Sequence, residues 1–216
     1  MTRYVLGNWK SNTTLAQGMD LAKAASQPTS SQVQVGIFPP LVWLHPLRNS
    51  LQGRSTWLGA QTCSATGPGA FTGEVTAGML SDMCDAVLIG HSERRALYGE
   101  NDAVVRAKLD QILLSPMVAV LCIGEVLEER QAGVAEIIVR QQLDSALRDQ
   151  AVLDPDRLLI AYEPVWAIGT GTACSVEESE AMCRFVHDWC RESLGFDLPV
   201  LYGGSVNPEN AAELIA

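Results

Sequence analysis

The chain has 216 residues, 47% of them hydrophobic, enough for one sizeable core. Its 15 Lys and Arg against 25 Asp and Glu give a formal charge of −10, which argues against a nucleic-acid surface and leaves a small anion to bind only at a local positive site. Six cysteines without a Cys-x-x-Cys spacing, and three histidines in all, argue against a Cys/His zinc site and for buried, reduced thiols in a cytoplasmic protein.

The first predicted strand, residues 4–7, begins almost at the N-terminus, and no long apolar segment for secretion or membrane crossing precedes it. Further strands are predicted at 33–38, 56–60, 86–90, 118–123, 158–162 and 200–202. They read as continuous apolar runs, as strands buried on both faces do. They recur about every 30 residues, the size of a βαβ unit. Helices are predicted over about 102–115 and about 131–150, and from the capping box Ser175-Val176-Glu177-Glu178. In the last, Met182, Phe185, Val186, Trp189 and Cys190 form one apolar stripe, and Gly195 ends it.

No linker or low-complexity tract divides the chain, which predicts one domain over residues 1–216. Repeated βα units give either an open doubly wound sheet or a closed barrel. Polar residues follow the strands: Asn8 and Lys10 the first, His91 the fourth, Glu163 the sixth, Gly203-Gly204-Ser205 the seventh. A barrel brings the ends of distant strands round one mouth, so the pattern favours an α/β fold of the barrel kind. The dinucleotide fingerprint Gly-x-Gly-x-x-Gly is absent after the first strand.

Glu163 is a lone carboxylate at the end of an apolar run. Pro164, Val165, Trp166, Ala167 and Ile168 follow, then the pliable Gly169-Thr170-Gly171. One reading is an acid or base under a lid that excludes water. The other is an ordinary strand-to-helix connection with a solvated Glu. Lys10 reads either as a solvated surface charge or as a fixed cation for an anionic substrate. His91 lies in Gly90-His91-Ser92-Glu93-Arg94-Arg95. With Ser92 as N-cap, the positive end of the helix would disfavour imidazolium, and a neutral ring can donate to a carbonyl oxygen and shuttle a proton. His45 and His187 have no such setting and read as surface or satisfied histidines. Gly203-Gly204-Ser205 precedes Asn207-Pro208, an N-cap and first-turn pair. Backbone N–H groups there could cradle a phosphate, although Gly-Gly-Ser is also a common turn. Gly169 and Gly171 could add further donors. An anion cradle, a cation, a neutral imidazole, a carboxylate and a lid, with no metal ligands, fit proton transfer beside a carbonyl of a small phosphorylated sugar.

Six segments carry a resemblance: Gly7-Asn8-Trp9-Lys10, Gly69-Ala70-Phe71-Thr72-Gly73-Glu74, Ile89–Arg95, Leu121-Cys122-Ile123-Gly124-Glu125, Ala161–Gly171 and Tyr202–Asn207. In this order and spacing the chain resembles the triosephosphate isomerase family from end to end. The resemblance implies the (β/α)8 barrel that takes its name from this family, with about seven βα units in this chain. It implies interconversion of dihydroxyacetone phosphate and D-glyceraldehyde 3-phosphate through an enediolate, in glycolysis and gluconeogenesis, with no cofactor, no metal, no nucleic acid and no membrane. Glu163 would move the carbon-bound proton and His91 would polarise the carbonyl. Lys10 would neutralise charge and Asn8 would orient the carbonyl. Gly169, Gly203, Gly204 and Ser205 would bind phosphate. Trp166 would meet Glu125 through its indole N–H. Thr72 would enter the neighbouring subunit of a homodimer and steady Asn8 and Glu93, with Glu74 and Arg94 paired across that interface.

Family members continue for roughly 25–30 residues beyond the position of Ala216, with an eighth strand, a Gly-Gly turn and a final helix. A chain lacking them is expected to carry open edges on its first and seventh strands, to miss two phosphate donors, and to lack the apolar residue that closes against Ile168. The alternative to an isomerase is therefore a weakly active or non-catalytic remnant acting as a self-associating scaffold.

Overall fold

The computed structural model describes residues 2–27, 30–150, 153–168 and 174–215. Its strands are β1 (Arg3–Asn8), β2 (Val33–Phe38), β3 (Trp57–Ala60), β4 (Ala86–Ile89), β5 (Val118–Ile123), β6 (Leu158–Tyr162) and β7 (Val200–Tyr202). The α-helices are α1 (Leu15–Ala25), α2 (Leu44–Ser50), α3 (Ala77–Ser81), α4 (Ser92–Tyr98), α5 (Asp102–Leu113), α6 (Leu127–Gln131), α7 (Ala135–Leu147), α8 (Val176–Leu194) and α9 (Ala211–Ile215). Every predicted strand is present within one residue at each end. The chain divides into two compact units, Met1–Ile89 with Ala107–Ala119, and Gly90–Arg106 with Val120–Ala216. Among the described residues no helix is long and apolar enough to cross a membrane.

In the first unit the strands pair in parallel and in chain order, Arg3 opposite Val33, Gly36 opposite Trp57 and Gly59 opposite Ala86. Phe38 fills the space over β3, because a Cβ on Gly59 would lie 2.1 Å from its ring. Asp85 ties the strand beginnings together. Its carboxylate accepts the Leu58 N–H at 2.8 Å and pairs with Arg48 at 3.1 Å, and its carbonyl accepts the Val118 N–H at 2.9 Å. The sequence reading of all strands as buried on both faces fails for β1, where exposed and half-buried residues alternate and Val5 is 51% exposed. Arg3, Val5 and Gly7, which share one face of β1, are the exposed ones, and Tyr4, Leu6 and Asn8 on the other face are half-buried.

In the second unit β6 and β7 pair in parallel, Ile160 opposite Val200 and Tyr162 opposite Tyr202. All six residues of β5 and all five of β6 are buried. The capping box opening α8 forms in both halves, Ser175 Oγ accepting from Glu178 N–H and Glu178 Oε2 from Ser175 N–H, each at 3.1 Å. Gly195 closes α8 with φ 80°. Met182, Val186, Trp189 and Cys190 are buried, and Trp189 donates to Asp144 of α7 at 3.1 Å. The helix predicted over about 131–150 is α7, which begins later, at Ala135, and ends at Leu147; the short α6 ends at Gln131, and Gly133 at φ 72° stands between the two. Such a left-handed turn costs Gly nothing and ends a helix. The helix predicted at Asn207 begins four residues later, at Ala211. Asn207 Oδ1 accepts the Glu209 and Asn210 N–H groups in the turn before it.

Candidate active site

Glu163 follows directly after β6, and its backbone is fixed on two sides. Its N–H donates to the Ile123 carbonyl at 2.7 Å, and the preceding Tyr162 carbonyl accepts the Gly203 N–H at 2.6 Å. Two glycines make room for it. A Cβ on Gly124 would lie 1.7 Å from the Glu163 carbonyl oxygen, and one on Gly203 2.9 Å from Glu163 Cγ. Contacts that short force the backbone or the side chain to move. The side chain is buried.

The Glu163 carboxylate meets three groups. Oε2 accepts the Ser92 N–H at 2.9 Å, and Oε1 lies 3.5 Å from His91 Nε2. The thiol of Cys122, fully buried on β5, lies beside the same carboxylate, and burial first, then the Glu163 charge, holds that thiol's pKa well above the ordinary value.

His91 is the N-cap of α4, a correction to the reading of Ser92 as the cap. The imidazole takes the role a hydroxyl would have, since its Nδ1 accepts the Glu93 N–H at 3.2 Å. The Glu93 carboxylate stands 3.9 Å from the same nitrogen, beyond hydrogen-bond reach. A nitrogen that accepts an N–H carries no proton, so the neutral tautomer is protonated at Nε2. That N–H points toward Glu163. Of the other histidines, His45 is exposed, as expected. His187 is half-buried and its Nδ1 has no hydrogen-bond partner among the described residues, which corrects its reading as a surface or satisfied residue.

After Glu163, Pro164 takes φ −66° and residues Val165–Ala167 form a 3-10 turn. This turn is anchored on Glu125, which is fully buried. The Val165 N–H donates to the Glu125 carbonyl at 3.1 Å. Glu125 Oε1 accepts from Trp166 Nε1 at 2.9 Å, Tyr162 OH at 3.1 Å and Arg130 Nη1 at 3.2 Å. Arg130 also lies over the Trp166 ring at 4.9 Å and pairs with Glu178 at 2.8 Å. That hydrogen bond is the main reason the Glu178 carboxyl falls below its ordinary pKa, while burial, then the charge on Glu125, raises that of the Tyr162 hydroxyl. Ser205 Oγ donates to the Ala167 carbonyl at 3.1 Å. Gly169, Thr170 and Gly171 lie outside the described residues.

In the first unit Lys10 adopts φ 51°, a left-handed conformation. For a non-glycine residue this costs of order 1–3 kcal/mol and persists only where surroundings hold it. Asn8 Oδ1 accepts the Lys10 N–H at 2.9 Å, and Gln61 Nε2 donates to the Lys10 carbonyl at 2.7 Å. Thr72 is exposed on a tight loop in which the Glu74 N–H donates to the Phe71 carbonyl at 3.0 Å and Gly73 takes φ 96°. In the second unit Arg94 is paired with Glu100 and lies over the Tyr98 ring at 4.8 Å.

The triosephosphate isomerase family model matches residues 3–216. The chain belongs to the triosephosphate isomerase family. It is 42% identical to the triosephosphate isomerase of Chlorobium phaeovibrioides over 99% of this chain and 88% of that one. It is 42% identical to that of Thiobacillus denitrificans, covering 99% and 88%, and 45% identical to that of Marinobacter nauticus, covering 99% and 87%. It is therefore an α/β protein of the barrel family with about seven βα units, and an isomerase with a triose phosphate as substrate. Nothing supports the scaffold reading.

Of the residues that sequence pointed to in this isomerase, His91, Ser92 and Glu163 meet at one carboxylate, and Glu125 and Trp166 meet beside it. Gly203 is engaged differently from expectation. Its N–H extends the β6–β7 ladder by one step, which leaves it no N–H for a phosphate. Gln61, Cys122, Gly124 and Arg130 were missed as contributors. Gly124 was within reach of sequence, since a glycine beside the end of a strand marks a close backbone approach. The other three act through contacts that no local spacing encodes.

Proposed function

We propose that Glu163 and His91 carry the isomerisation of dihydroxyacetone phosphate and D-glyceraldehyde 3-phosphate. The observation behind this reading is one buried carboxylate 3.5 Å from the Nε2 of an imidazole whose other nitrogen is capped by a backbone N–H. Glu163 takes a proton from the carbon beside the carbonyl, and that bond pair forms the enediolate. His91 donates its Nε2 hydrogen to the oxygen that gains charge. It then relays a proton between the two oxygens, and Glu163 returns its proton to the neighbouring carbon. The turn anchored on Glu125 supports exclusion of water, which strengthens both interactions. Asn8 and Lys10, with the phosphate donors Gly169, Gly204 and Ser205, are assigned to substrate by family likeness. A coupled isomerase assay tests the reading. Glu163→Gln keeps the shape but cannot accept a proton, so kcat is expected to fall about 10²–10⁴-fold with little change in melting temperature. Activity within a few-fold of the parent contradicts it.

The loop carrying Thr72 supports a homodimer, since Phe71 on it is 49% exposed. Thr72→Arg is expected to give monomers by sedimentation and to lower activity together. An unchanged dimer, or a fully active monomeric parent, contradicts the assignment. All six cysteines are free, five of them buried, which fits a cytoplasmic location that cell fractionation checks.

A further inference from the structure

We infer that Gln61 is a positioning residue for Lys10, holding the cation's strained backbone through its side-chain amide. The inference rests on the reading of Lys10 as the substrate's cation. Lys10 sits at φ 51°, where a lysine gains nothing locally. Its N–H is taken by Asn8 Oδ1 at 2.9 Å, one link back along its own turn. Its carbonyl is taken from another element altogether. Gln61, just after β3, donates one hydrogen of Nε2 to the Lys10 carbonyl at 2.7 Å and the other to the Phe38 carbonyl at 2.8 Å. The amide orientation follows from the partners. Two carbonyl oxygens converge on one atom, which must be the nitrogen, and both of its hydrogens are used. Phe38 ends β2, and its carbonyl also accepts the Trp9 N–H at 3.0 Å. The amide thus pins the peptide after Lys10 to the end of the neighbouring strand.

Leucine matches the bulk of glutamine and lacks both donors. Gln61→Leu removes the amide donor to the Lys10 carbonyl, leaves the Phe38 carbonyl only its bond from the Trp9 N–H, and frees residue 10 to relax toward negative φ, which moves the ammonium. Misplacement by about 1 Å can cost about 100-fold. The test is a double-mutant cycle of Gln61→Leu and Lys10→Ala, read by steady-state kinetics with the triose phosphate and by competitive inhibition with inorganic phosphate. Gln61→Leu alone is expected to lower kcat/KM about 10–100-fold, to raise KM and to weaken inhibition by phosphate. In the Lys10→Ala background it is expected to change kcat/KM by less than about threefold, because the group it positions is gone. Full kcat/KM in Gln61→Leu overturns the inference, and so does an equal loss in both backgrounds, which marks a merely structural role. Lys10→Ala with near-parental kcat/KM overturns the reading of Lys10 beneath it, a result visible without any change at Gln61. If Gln61→Leu does not fold, Gln61→Asn takes its place in the same cycle with the same outcomes. It keeps the amide but reaches at most one carbonyl.

Discussion

Glu163 leaves a strand whose five residues are all buried, whereas Lys10 leaves one in which every second residue is exposed. The carboxylate sits on a backbone that packing has already placed. The strands beside it accept and donate at 2.7 and 2.6 Å, and glycines on both sides let them approach. Its side chain then needs only one backbone N–H and two neighbours. The lysine sits on a backbone that packing does not place. Its turn is strained, and two side-chain amides, Asn8 and Gln61, hold it. Where burial fixes the chain, a functional group depends on space, so small steric changes should be severe. Where polar clamps fix it, loss of a donor should tell on substrate binding while most of the stability remains.

The steric half breaks most visibly at Gly124. Gly124→Ala puts a Cβ 1.7 Å from the Glu163 carbonyl oxygen, so the strand end carrying Glu163, the proposed base, must shift. We expect a loss of about 1–3 kcal/mol or more in stability by denaturant unfolding, and kcat reduced more than KM is raised. Unchanged kcat would mean that close approach at Gly124 is incidental to the base.

A smaller effect concerns buried thiols, one in each region. Burial is the largest cause that pushes Cys84 in the first unit and Cys190 in the second from an ordinary 9.0 to about 12. In the unfolded chain both lose their protons near the ordinary value. Their contribution to stability is therefore complete below about pH 9 and is lost as pH rises toward 12. Replacing both with Ala should flatten the fall in melting temperature between pH 9 and 11. An identical slope in the variant contradicts the burial argument.

Strand positions were legible because each is a short apolar run, and the α8 boundaries because Ser175, Glu178 and Gly195 act locally. Glu163, His91 and Glu125 were legible as site candidates from their places after strands and from family likeness. His91 as its own helix cap was hidden, since imidazole is not a usual cap and Ser92 beside it is. The alternating exposure of β1 was hidden because it depends on what packs against each face of the strand, while residues 4–6 are apolar like those of the other strands. The Gln61 clamp joins residues 51 positions apart, and no spacing rule reaches that far.

Hydrogen exchange at the substrate's carbon tests the central claim most directly. The chain and its Glu163→Gln variant are incubated with dihydroxyacetone phosphate in D2O, and deuterium at the carbon beside the carbonyl is followed by NMR. The parent is expected to incorporate deuterium as it forms D-glyceraldehyde 3-phosphate, because the carboxylate exchanges its proton with solvent at the enediolate stage. Glu163→Gln, with an unaltered melting temperature, is expected to show neither exchange nor product above the uncatalysed rate. Deuterium incorporation by the variant at a rate near the parent's would contradict Glu163 as the base.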